Sequence, residues 1–154
     1  MRSPQKTLLI TALVALASLS TLACDDGVEV SNLPGHVAFV GPSLASEGGV
    51  ATVFGVSDPE GDLLKATFEV CDASGAACAP PARILPGSTS LGAIPTFDPE
   101  RVPALQVRWL DCARLQSGAP LTIRIGIEGS DVDPVLSPPI TPDQLGVNLP
   151  AICP

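Results

Sequence analysis

Five cysteines, one histidine and a set of closely spaced carboxylates are the residues whose chemistry goes beyond packing. The cysteines are Cys24, Cys71, Cys78, Cys112 and Cys153. They form no Cys-x-x-Cys pair, and the histidine, His36, is remote from all but one of them, so neither zinc ligation nor dithiol redox work is indicated. An odd cysteine count in an exported chain leaves an even set for disulfides and one residue for another use. The carboxylates fall in three runs: Asp58, Glu60 and Asp62; Asp98 and Glu100; Asp131 and Asp133. Calcium takes roughly six to eight hard oxygen ligands, and converging acidic loops can supply them. On that reading Asp58, Glu60, Asp62, Asp131 and Asp133 are the metal candidates, although the spacing is not that of a helix-loop-helix calcium site. The other reading is turn chemistry. Asp58 caps a turn with its side chain, Pro59 presets φ and Gly61 takes a left-handed conformation.

Catalysis finds little to work with. A Ser-His-Asp device would have to use His36, beside the start of the first strand. Nothing indicates the cleft that a glycosidase carboxylate pair needs. Sugar stacking needs exposed aromatics, and aromatic residues make up 3% of the chain. No Gly-rich phosphate loop or haem motif is present. The expectation is a non-enzyme without a cofactor, calcium being the alternative. A small exported hydrolase with an unrecognised site is a third class that no motif supports.

The elements that position these residues begin after a leader. Arg2 and Lys6 make a positive start, and Leu8 to Leu22 is uncharged and apolar or small. The run is too short, and too rich in Ala, Ser and Thr, for a membrane span. It stops at Ala23-Cys24-Asp25-Asp26, the order of a secretory signal peptide over residues 1–23. Leu22-Ala23-Cys24 resembles the signal end of bacterial lipoproteins, a small-residue box followed by the cysteine that is lipidated. That resemblance implies lipidation of Cys24 and a protein held to a membrane, facing periplasm or cell surface, without spanning it. Residues 24–34 then read as a lipidated cysteine and tether, and 35–154 as the folded domain.

About 131 of the 154 residues remain after the leader, enough for one core. Arg2 and Lys6 leave with it, so 8 basic residues fall to 6 against 16 acidic ones, a net charge of −10. That sign argues against nucleic acid and against anionic lipid as bulk electrostatic partners. Pro (17) and Gly (14) are too frequent for a helical bundle. Strand-like runs alternate with turn clusters instead. They are His36 to Val40, ended by Gly41-Pro42; Val50 to Val56; Leu63 to Cys71; and Ala82 to Leu85, boxed by prolines and so at an edge. Val102 to Leu115 fits a strand or a helix, with Pro103 favouring the strand. Leu121 to Glu128 alternates clearly. Val135 to Ile140 is the last run, and Thr141-Pro142-Asp143-Gln144 can start one helical turn.

These runs predict an all-β fold: a single antiparallel β-sandwich of about seven strands. The stretch Val50 to Asp62, a strand running into an Asp-Pro-acid-Gly-Asp turn, resembles bacterial immunoglobulin-like and fibronectin type III-like surface modules. Val107-Arg108-Trp109, Leu121 to Glu128 and Ser137 to Val147 continue that pattern. The resemblance implies a non-catalytic binding, adhesion or scaffold module whose partner is another envelope or extracellular protein. In such modules the loops at the acidic end often supply the binding surface. An up-and-down strand order also puts Cys71, Cys78, Cys112 and Cys153 near one pole. Of their possible pairings, Cys71–Cys78 with Cys112–Cys153 is preferred. The acidic loops gather at the opposite pole.

Overall fold

The computed structural model describes residues 33–96 and 102–154. The leader, Cys24, most of the tether, Asp98 and Glu100 lie outside the described residues. The described chain is an antiparallel sandwich. One sheet has the order β1 (His36–Ser46), β2 (Gly49–Ser57), β8 (Leu105–Leu110), β6 (Arg83–Ile84). The other has the order β10 (Val135–Leu136), β9 (Leu121–Ile127), β4 (Ala66–Asp72), β5 (Cys78–Ala79). A short ribbon pairs β3 (Leu63–Leu64) with β7 (Ile94–Pro95).

Alternation of apolar and polar residues builds the layers. In β4, Phe68 and Val70 are buried while Thr67 is exposed, and they stand opposite Ile125 and Ile123 of β9. From the facing sheet come Val50, Phe54 and Val56 of β2 with Val107 and Trp109 of β8, almost wholly buried. The Trp109 and Phe68 rings meet across the sandwich, tilted by 51° with centroids 6.4 Å apart. Each such side chain contributes roughly 1.5–3 kcal/mol by leaving water. The indole N–H of Trp109 donates to Thr52 Oγ1 at 3.0 Å, and Thr52 shares a 2.7 Å hydrogen bond with Ser43 Oγ. This chain of hydroxyls lets a polar group sit in an apolar layer without losing its hydrogen bond.

Three elements depart from the sequence reading. β1 does not end at Gly41-Pro42 but runs on to Ser46, and the hairpin turn is only Glu47-Gly48. Its 11 residues face 9 of β2, and the excess is taken up by two register shifts, between Val37 and Phe39 and between Val40 and Ser43. These are bulges, and proline is tolerated in a strand at a bulge or an edge, both of which apply to Pro42. The run from Leu63 to Cys71 is cut at Lys65. Leu63 and Leu64 pair with β7, whereas the Ala66 N–H donates to Leu91 O at 2.8 Å. The ambiguous segment is a strand followed by a helix. β8 ends at Leu110, Asp111 accepts from the Arg114 N–H, and α1 (Cys112–Gln116) buries Leu115.

Residues 78–95 close one side of the sandwich by changing sheets. They pair with β4 as β5, with β8 as β6, and return as β7. β6 lies at a sheet edge, as the flanking prolines predict. At the C-terminus Gln144 Oε1 accepts from the Thr141 N–H at 2.9 Å, starting α2 (Pro142–Leu145), and Gly146 ends it at φ 67°. A last turn, α3 (Leu149–Ile152), follows.

Candidate functional site

Two poles collect the chemistry-bearing residues. At the first, β2 runs into Asp58, which is 2% exposed. Its Oδ1 accepts from the Glu60 N–H at 2.9 Å and the Asp62 N–H at 3.2 Å, and its carbonyl accepts from the Gly61 N–H. Gly61 has φ 76°, a conformation that disfavours a side chain. The turn is therefore built by the residues that composed it in sequence, with the carboxylate as the hub. Asp62 O accepts from Thr96 Oγ1, which ties the turn to the far end of β7.

The chain enters the domain at this same pole. The Leu33 N–H donates to Glu60 Oε1 at 3.3 Å, and Gly35 O accepts from Ser130 Oγ at 3.1 Å. Entry is thus pinned between the turn after β2 and the connection from β9 to β10, which carries Asp131 and Asp133. A shallow depression of about 190 Å³ lies there, with Gly35, Asp58, Asp62, Leu64 and Glu128 in its walls. Asp58, Glu60 and Asp62 share one turn. Asp131 and Asp133 are not brought onto them, and no three His, Cys, Asp or Glu side chains are grouped to hold a metal among the described residues. His36, exposed at the head of β1, makes no side-chain hydrogen bond or ion pair among the described residues.

The second pole carries the cysteines. Cys71 stands opposite Cys78 in the β4–β5 ladder and the two are joined by a disulfide, Cα atoms 4.0 Å apart. The hairpin between them is held by Asp72, which accepts from Ser74 Oγ at 2.7 Å and from the Ala76 N–H at 3.0 Å. The Ser74 hydroxyl above all, helped by the backbone N–H groups, holds the Asp72 carboxyl below its ordinary value. A second disulfide joins Cys112 of α1 to Cys153, with Cα atoms 5.4 Å apart. Gln116 Nε2 donates to Cys153 O at 3.1 Å, so the chain end is held twice.

No spacing in the sequence marks Arg114, yet it joins the two disulfide-bearing regions. Its guanidinium donates to Val70 O, one residue before Cys71, and to Ala79 O, one residue after Cys78. Asp111 lies 3.7 Å from its Nε. Arg108 is used likewise at the β1–β2 hairpin, donating to Ser46 Oγ, Glu47 O and Pro86 O. An arginine at an outward strand position carries no mark of this in sequence, because the acceptors are carbonyls that any residue supplies. A groove of about 390 Å³ runs beside the second disulfide between Gln116 and Leu149, Pro150 and Pro154. A third depression, about 370 Å³, lies between the β1 bulge and Ser137-Pro138.

Compared with known proteins, the chain matches no family model, no curated protein and no solved structure.

Proposed function

We propose that this chain is a non-catalytic, membrane-anchored envelope lipoprotein whose β-sandwich is a binding or scaffold module for another envelope or extracellular protein. The cysteine balance carries the reading. The two disulfides use four of the five cysteines, and the one they leave, Cys24, directly follows the apolar leader. Disulfides suit an oxidising compartment outside the cytoplasm. No helix among the described residues is long and apolar enough to cross a membrane, so lipid on Cys24 is the anchor this reading needs.

The strand order supports a module of the immunoglobulin-like type. The orders β1-β2-β8-β6 and β10-β9-β4-β5 correspond to the ABED and GFC sheets of such sandwiches, with β5 added at one edge. The buried polar groups support a structural rather than a catalytic use of this core. Ser43, Thr52, Asp58 and Ser137 are each engaged in hydrogen bonds within the fold.

Mass spectrometry of the mature protein tests the anchor. The expected result is an N-terminal Cys24 carrying a thioether-linked diacylglycerol, with non-reduced peptides bridging Cys71 to Cys78 and Cys112 to Cys153. An unmodified thiol at Cys24, or a retained leader, would falsify it.

A further inference from the structure

We infer that, in the anchored protein proposed above and resting on that reading, the acidic pole faces the lipid surface and the cystine pole faces away from it. The entry point decides this. Leu33 and Gly35 are tied to the two acidic connections by the hydrogen bonds to Glu60 and from Ser130. Gly35 is packed so closely that a Cβ there would lie 2.5 Å from Leu64 Cδ2 and 3.0 Å from Asp58 Oδ2. Leu33 and Gly35, where the described chain begins, therefore lie within the acidic pole.

Length does the rest. Eight residues lie between Cys24 and Leu33, and the nine steps along the chain reach about 32 Å at full extension. β1 runs from the entry pole to the opposite hairpin alongside the 9 residues of β2, a span of about 27 Å at the usual rise per residue. The fully extended tether barely exceeds the length of the strands, so it cannot lay the cystine pole on the membrane without lying almost taut along the whole domain. The surface at the root also suits a neutral lipid face. Leu63, 70% exposed, and Leu33, 51% exposed, flank the entry. The surrounding carboxylates oppose anionic headgroups only within about 8 Å at physiological salt. The loops that serve as a binding surface in fibronectin type III-like modules are then turned toward lipid. A protein partner approaching from outside meets α1, the β4–β5 hairpin and the C-terminus instead.

Energy transfer in vesicles tests the orientation. The lipidated full chain is reconstituted into phosphatidylcholine vesicles bearing a headgroup-attached acceptor, with a fluorescent amino acid at Val132 or at Ala73, both exposed. Transfer should be several-fold stronger from position 132. A long Gly-Ser insertion after Asp26 should bring the two positions toward parity. Equal or reversed transfer in the native-length chain overturns the orientation. A contrast that survives the insertion overturns tether length as its cause. Flotation of the protein with vesicles is scored separately, with C24A as the control. Failure of the unsubstituted chain to float removes the anchor reading and this orientation together, whereas flotation with reversed transfer removes the orientation alone.

Discussion

A single hydroxyl decides how a tryptophan can be buried here. Trp109 is fully buried, and Thr52 Oγ1 receives its indole N–H while also bonding Ser43 Oγ. Thr52→Val keeps the shape and removes the hydroxyl that Trp109 and Ser43 share. The expected loss is about 1–3 kcal/mol, the cost of leaving a buried donor unsatisfied, read from urea unfolding. An unchanged midpoint would mean that water replaces the hydroxyl. Asp72 makes a pH-dependent contribution of opposite origin, at the surface. Its folded carboxyl titrates below the unfolded value of 3.8 because Ser74 Oγ and nearby N–H groups favour the ionised form. The stabilisation is therefore fully present above pH 3.8 and is lost as pH falls through the lower folded value. The gap in urea midpoint between the native chain and Asp72→Ala should be constant above pH 5 or so and narrow on further acidification. A gap that widens in acid would reverse the sign.

At the scale of elements, period-two patterns were legible and interruptions were not. β4 and β9 can be read from alternation because both have one apolar face along their whole length, and the helical turn at Thr141 follows from its capping residues. Gly41-Pro42 reads as an ending because proline removes a ladder donor. Only the pairing register shows that the donor is not needed, since the bulge between Val40 and Ser43 on an edge strand takes it out of the ladder. Val102 to Leu115 mixes two periods, strand then helix, so neither template fits the whole. In the acidic turn, the hydrogen bonds that Asp58 accepts were legible from residue types, whereas the relation of Asp131 and Asp133 to it depends on how a long connection lies. β1 carries no Lys, Arg, Asp or Glu, which leaves Pro42 and the bulges as its protection against edge-to-edge pairing. Pro42→Val should raise self-association in sedimentation or light scattering with little change in melting temperature. A chain that stays monomeric at high concentration would show that the bulges suffice. Packing around β2 is tighter than its glycine content suggests. A Cβ at Gly49 would lie 2.5 Å from the Trp109 carbonyl oxygen, whereas one at Gly92 meets nothing within 4 Å. Gly49→Ala should cost about 1–3 kcal/mol through overpacking, and Gly92→Ala should be near neutral by the same unfolding measurement.

At the scale of the whole molecule, the division into two poles follows from strand direction. An antiparallel order sends the connections of alternate strands to opposite ends, which is why the cysteines and the acidic turns separate. The two cystines at one end are not equivalent. Cys71–Cys78 spans a sequence separation of 7 inside a hairpin that Asp72 and the β4–β5 ladder already hold. Cys112–Cys153 spans 41 and encloses β9, β10 and the C-terminal turns. If disulfides act chiefly by restricting the unfolded chain, the longer loop contributes more by about 1.5 kcal/mol. Removing both cysteines of each pair in turn, as C71A/C78A and C112A/C153A, should give unfolding free energies that differ in that order. Amide exchange should accelerate at residues 149–152 in the second variant, because Gln116 then holds the chain end through a single hydrogen bond to Cys153 O. Equal losses, with exchange unchanged at 149–152, would mean that the C-terminal segment is already ordered by the packing of Leu145 and Ile152 against the core and that the bond only covers what packing has settled.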